Sequence, residues 1–196
     1  YSRIIINIIS KIMNLKLYPI AIKTISLILL IFSTACSTIT VEDYKDRTPY
    51  FAIEKFFTGR VTAKGVFINR SGLMQREFEM IADGKWDEND KVLTIEEVLT
   101  FKDGEIVNRT YVITRQNENT WSLESEDLVG VGTIKSSGNA LNWKYTLKQK
   151  VGDAVYHLDF DDWMYLYDDN TVINKAVASW YGIHAGEVIL QAIKLN

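Results

Sequence analysis

The chain has one cysteine, two histidines and two prolines in 196 residues. A single cysteine, Cys36, cannot close an intramolecular disulfide. Two histidines far apart in sequence, His157 and His184, leave little from which to build a structural zinc site. With Pro49 the only proline after residue 19, few positions interrupt a long strand. The chain also lacks a Gly-x-Ser-x-Gly elbow, a phosphate-cradling glycine loop and any cysteine spare for catalysis. Carboxylates are plentiful, at 25 Asp+Glu, but number without geometry nominates no acid–base pair. The expectation is a protein with no catalytic residue, no metal and no cofactor.

Residues 1–35 contain no acid at all, only Arg3, Lys11, Lys16 and Lys23. An apolar run over 25–32 then ends in Ser33-Thr34-Ala35-Cys36. A basic start, a short apolar stretch and small residues before a cut are the parts of a secretory signal. The apolar run is too short to span a bilayer comfortably, which disfavours an uncleaved anchor. Met13 would open a signal of conventional length, so residues 1–12 read as an over-extended start and are set aside from the fold. The last four residues resemble the bacterial lipobox, with Ser33 where leucine is usual. That resemblance implies that Cys36 is alkylated by diacylglycerol and becomes the mature N-terminus. Ser37, where aspartate would retain the protein at the inner membrane, implies an outer-membrane lipoprotein facing the periplasm. Removing residues 1–35 leaves 18 Lys+Arg against 25 Asp+Glu, a formal charge of −7. Such a domain has no general attraction for nucleic acid.

Residues 36–50 show no sustained period and are expected to tether lipid to domain. From Phe56 onward the chain alternates with period 2, and turn residues recur every ten to fifteen positions. In the clearest run Leu141, Trp143, Tyr145 and Leu147 share one face, and Asn142, Lys144, Thr146 and Lys148 the other. Asp103-Gly104 between two such runs, 91–102 and 105–115, signals a hairpin. Pairing about it would set Glu97 opposite Thr110 and Leu99 opposite Asn108. Nine or ten strands with short connections are antiparallel neighbours. With at most a short helix at 49–57 to cover a face, they are expected to close into an up-and-down, lipocalin-like barrel over 51–196. A two-sheet sandwich is the alternative.

Five blocks carry a family resemblance: Phe56-Phe57-Thr58-Gly59, Gly138-Asn139-Ala140, Trp143-Lys144-Tyr145, Asp161-Asp162-Trp163-Met164 and Asn174-Lys175-Ala176. From Cys36 to the C-terminus the chain resembles the Gram-negative lipoproteins grouped as domain of unknown function 3833. Lys175 stands where Arg is frequent in that family. The resemblance implies a lipoprotein with one compact β domain, and no activity.

Three charges sit inside apolar rows. Arg76 lies among Met74, Phe78, Met80 and Ala82; Glu97 among Leu93, Ile95, Leu99 and Phe101; Asp162 among Leu158, Phe160, Met164 and Leu166. Charges are rarely buried without partners. Arg76 is therefore expected to pair with Glu97 on the next strand, or to meet an acidic ligand head. A one-residue bulge at Asp161-Asp162 would turn Trp163 inward instead. The expected interior comprises Arg76, Glu97, Trp143, Tyr145, Phe160, Asp162 and Trp163 around a ligand-sized space. His157, Asp159 and Asp161 share the other face of that last strand, where a polar outer wall is favoured over metal ligation. The leading expectation is a lipid-anchored barrel binding an apolar or amphiphilic small molecule. The rivals are a filled assembly lipoprotein with a protein partner, and a lipid-modifying enzyme. The anchor has a direct test: a palmitate analogue should label the wild-type chain, and Cys36→Ser should lose both the label and membrane fractionation.

Overall fold

The period-2 runs become ten strands in the computed structural model, which describes residues 38–195. They are β1 (Gly59–Asn69), β2 (Met74–Asp87), β3 (Val92–Phe101), β4 (Ile106–Arg115), β5 (Thr120–Glu124), β6 (Gly132–Ser137), β7 (Ala140–Val151), β8 (Ala154–Leu166), β9 (Thr171–Trp180) and β10 (Ile183–Lys194). Each strand pairs antiparallel with its sequence neighbours, and β1 pairs with β10, Val61 opposite Lys194, so the sheet closes. The expected up-and-down barrel is therefore the fold, and the sandwich is not. Cys36 and the rest of the expected signal lie outside the described residues.

Closure gives every strand one inward and one outward row. On β2 the inward row is Phe78, Met80 and Ala82; on β9 it is Val172, Asn174, Ala176 and Ala178. Small residues such as Ala63, Ala82, Ala176, Ala178 and Ala192 fill part of this lining, and they leave space at the centre.

The 91–115 hairpin forms, but its pairing is one residue off the expected register. Glu97 faces Arg109 and Leu99 faces Val107. The loop holds three residues, 102–104, because the Phe101 N–H donates to the Glu105 carbonyl and Gly104 takes a positive φ of 94°. An odd shift exchanges the two faces of a strand. The inward row of β4 is consequently Val107, Arg109, Tyr111 and Ile113, and not the row containing Thr110.

The two ends differ. One is closed by residues 41–57, including a 3-10 turn (Val41–Tyr44) and a short helix α1 (Ile53–Phe57) within the stretch where a helix was expected. Phe51, Ile53, Phe56 and Phe57 are buried there, with the Phe56 and Phe57 rings edge-on at 5.1 Å. Residues 41–50, expected as tether, are thus part of the domain: Val41 is buried, and the Phe51 N–H donates to the Gly138 carbonyl. Apolar burial favours this docking over a solvated tether. At the other end, four of the five turns expose apolar side chains. Leu73 and Met74, Ile106, Val155, and Trp180, Tyr181 and Ile183 ring this mouth.

The wall is thinnest beside β4. Only four positions of β4, Val112 to Arg115, pair with β5. The segment 125–131 spans the rest. It is sewn to β7 by the Val129 N–H to the Thr146 carbonyl, the Lys148 N–H to the Asp127 carbonyl and the Leu128–Leu147 bridge.

Gly84 marks where α1 meets the wall, since a Cβ there would lie 1.8 Å from the Phe57 carbonyl oxygen. Gly84→Ala should lower stability by about 1–3 kcal/mol through overpacking. Gly104→Ala, in open space but at positive φ, should cost about 1 kcal/mol from backbone strain alone. Denaturant midpoints of the two variants check both expectations.

Candidate functional site

The inward rows enclose a cavity of about 190 Å³. It runs from Phe57 at the closed end to Phe67, Phe101 and Gln149 beside the mouth. That exceeds the roughly 150 Å³ apolar cavity that accommodates benzene in an engineered protein. Aromatic walls dominate. Tyr145 and Phe160, directly opposite each other on β7 and β8, stack at 5.1 Å with rings nearly parallel. Trp143 packs edge-on to Tyr111 at 5.9 Å and against Phe57 at 6.0 Å.

Five of the seven expected interior residues line this cavity: Glu97, Trp143, Tyr145, Phe160 and Asp162. The register explains Asp162. β7 and β8 pair without interruption from Ala140–Tyr165 to Val151–Ala154, so no bulge breaks the row. Asp162 therefore points in beside Phe160. Trp163 points out, against the expectation, with its ring 5.9 Å from Tyr44 and stacked on Tyr165 at 6.1 Å.

Arg76 occupies the inward row but at the mouth. Its guanidinium lies 3.6 Å from the Phe101 ring centre and pairs with Asp103 at 2.8 Å and Glu105 at 2.7 Å. The expected Arg76–Glu97 pair does not form, because the β2–β3 register sets Ala82, and not Arg76, opposite Glu97. Six residues along a strand is about 20 Å. Glu97 instead faces Arg109 at 3.5 Å.

Arg109 is the centre of a polar cluster. Its Nε donates to Asp127 Oδ2, and its Nη1 donates to the Tyr111 hydroxyl at 3.0 Å. Burial pushes the Glu97 carboxyl up despite the nearby guanidinium, and pushes the Tyr111 and Tyr145 phenols up as well. Across the cavity, Asp162 Oδ1 accepts from Asn174 Nδ2, whose amide also donates to the Trp163 carbonyl at 3.1 Å. Burial raises the Asp162 carboxyl to about 7, and the Asn174 hydrogen bond only partly opposes it.

Arg109, Tyr111, Asp127 and Asn174 were not anticipated. Arg109 and Tyr111 escaped through the one-residue hairpin offset. Asp127 lies in an irregular segment that carries no periodic signal. Asn174 was legible in principle, as a polar residue in the row Val172, Ala176, Ala178. The outer-face reading of His157, Asp159 and Asp161 holds for the two carboxylates. The Thr146 hydroxyl donates to Asp159 at 2.7 Å, and the Asn142 amide to Asp161 at 2.6 Å. Among the described residues no cluster of His, Cys, Asp and Glu is placed to hold a metal ion.

A family model described as "Protein of unknown function (DUF3833)" matches residues 30–194. No curated protein matches the chain. Among solved structures, the barrel is similar to the S-type phycobiliprotein lyase CPES from Guillardia theta. The TM-score is 0.55 at 9% identity, over 81% of this chain and 99% of that one. It is also similar to the Rv2717c protein from M. tuberculosis, with TM-score 0.54, 11% identity, and coverage of 77% and 100%. A protein of unknown function from the DUF3598 family of Nostoc punctiforme gives 0.53 at 12% identity, over 82% of this chain but 53% of that one. At these identities the likeness is one of fold.

Asp162 generates a pH expectation. Its folded carboxyl titrates near 7 against an ordinary value of 3.8, so the folded state holds the proton over the interval between them. Stability contributed by Asp162 is then greatest below about 4, declines as pH rises toward 7 and is flat above it. Asp162→Asn should remove this slope, worth on the order of 4 kcal/mol at most. Relative to wild type, the variant should gain stability as pH rises from 5 to 8, read from denaturant unfolding at each pH.

Proposed function

The chain belongs to the DUF3833 family, and from its barrel we propose that it binds an apolar or amphiphilic small molecule in the central cavity. The cavity is the observation that carries this reading. The rival reading of an assembly protein expected a barrel filled by its own side chains, and here space remains at the centre along the aromatic rows of β7 and β8. Small-molecule sites are concave, mostly apolar and fixed by a few polar groups. Phe160, Tyr145 and Trp143 supply the apolar wall, and Glu97, Arg109 and Asp162 the polar groups.

The same proposal places the protein in the cell envelope as an outer-membrane lipoprotein facing the periplasm, held by lipid on Cys36. Sequence supports this part. Residues 41–57 pack at the closed end of the described domain. The apolar rim of the mouth then lies on the path of a ligand entering or leaving.

Filling the cavity tests the reading. Val188 is partly buried, lines the cavity on β10 and belongs to no polar pair. Wild-type protein should carry lipid-like molecules identifiable by mass spectrometry after purification from its native membrane. Val188→Trp should retain the barrel by circular dichroism and lose them.

A further inference from the structure

If the cavity takes an amphiphile, its polar groups select which end of that molecule can be buried. Among the described residues lining the cavity, Arg109 is the only Lys or Arg. Its guanidinium is already engaged by Glu97, Asp127 and the Tyr111 hydroxyl. Arg76, on the inward row of β2, sits at the mouth and is held between Asp103 and Glu105. Arg115 and Lys194, which continue the inward rows of β4 and β10 at the closed end, are engaged by Glu54 and by the Phe56 and Thr58 carbonyls. Among the described residues, the remaining strands add no cation to the cavity lining. β8 adds Asp162, β9 the neutral Asn174, and β7 the neutral Tyr145 and Gln149. Two carboxylates, Glu97 and Asp127, thus share one guanidinium, while Asp162 accepts from the neutral Asn174.

An acidic head group entering this site would find no free cation. It would have to displace Glu97 or Asp127 from Arg109 and leave a buried carboxylate unpaired, which is strongly unfavourable. A head group that donates hydrogen bonds meets the opposite situation. Asp162 and Glu97 both present carboxylate oxygens on strands that face the cavity, and the Coulomb attraction for a cation is strongest where water is excluded. Buried donors and acceptors are best satisfied by complementary partners.

We propose that the buried end of the ligand is a hydrogen-bond-donating head, an amine or, more weakly, a hydroxyl, received by Asp162 and Glu97, and that carboxylate and phosphate heads are rejected. The apolar body lies along Tyr145 and Phe160 toward the mouth. This rests on the ligand-binding reading above and adds the polarity of the ligand to it.

The experiment compares octylamine, octanol and octanoate, three probes with the same chain and different heads. Binding to the purified full-length chain is measured by calorimetry at pH 8. Octylamine should bind tightest and octanoate weakest, with a separation of at least about tenfold in Kd, or about 1.4 kcal/mol. Asp162→Asn, nearly isosteric, should weaken octylamine by about tenfold or more and leave octanol within about threefold. Glu97→Gln gives a second reading of the same loss should Asp162→Asn not fold. Octanoate binding as tightly as octylamine, or octylamine indifferent to both variants, overturns the head-group assignment and leaves the ligand reading standing. Failure of all three probes to bind overturns the ligand reading and the assignment with it.

Discussion

The Arg109 guanidinium is the interaction on which the interior depends. It joins β3 through Glu97, its own strand through Tyr111, and the segment 125–131 through Asp127. That segment lies where the ladder beside β4 is only four pairs long, so hydrogen bonding alone does not finish the wall there. One cation therefore neutralises buried acid and also ties an irregular segment to the sheet. Removing one partner from such a buried pair typically costs about 3–5 kcal/mol, because the charge left behind has no water to turn to. The exposed pairs on the outer wall, such as Lys64 with Glu79, carry no comparable weight.

Beyond that cluster, the barrel is asymmetric in the way its ends meet water. The closed end buries phenylalanine from a segment that precedes the first strand. The mouth leaves apolar side chains uncovered, and Tyr181 is 85% exposed. A wide apolar cavity between the two would collapse or fill if its walls were flexible side chains. Aromatic pairs such as Tyr145 with Phe160 hold their shape with few rotatable bonds, which keeps the space open.

Most of the fold was legible in the chain. Period-2 alternation located the strands, short turns made them antiparallel, and the scarcity of helix left closure as the way to remove edges. Charges inside apolar rows correctly marked Glu97 and Asp162 as inward, because a strand's side-chain period is fixed by its geometry. What period cannot supply is register between strands. Asp103-Gly104 located the turn but not the length of its loop, and a single extra residue exchanged Thr110 for Arg109 as the partner of Glu97. The same limit misassigned Arg76, whose row was right and whose height along the barrel was not. Trp163 depended on a bulge that two intact ladders leave no room for. The docking of residues 41–50 was hidden for a different reason: a segment with no periodicity can still be buried when a few side chains, Val41 among them, meet a prepared surface.

The pairing of β1 with β10 sets an order of events. Nine of the ten strand pairings join sequence neighbours and can form as each hairpin becomes available. The tenth joins Val61 to Lys194, almost the whole domain apart, and no earlier segment can substitute for it. A chain delivered N-terminus first thus carries an open, curling sheet with two unsatisfied edges until β10, Ile183–Lys194, arrives. During that interval it can add a foreign strand or a second copy of itself. Completion of the C-terminal strand is what converts a sheet prone to aggregation into a vessel without edges.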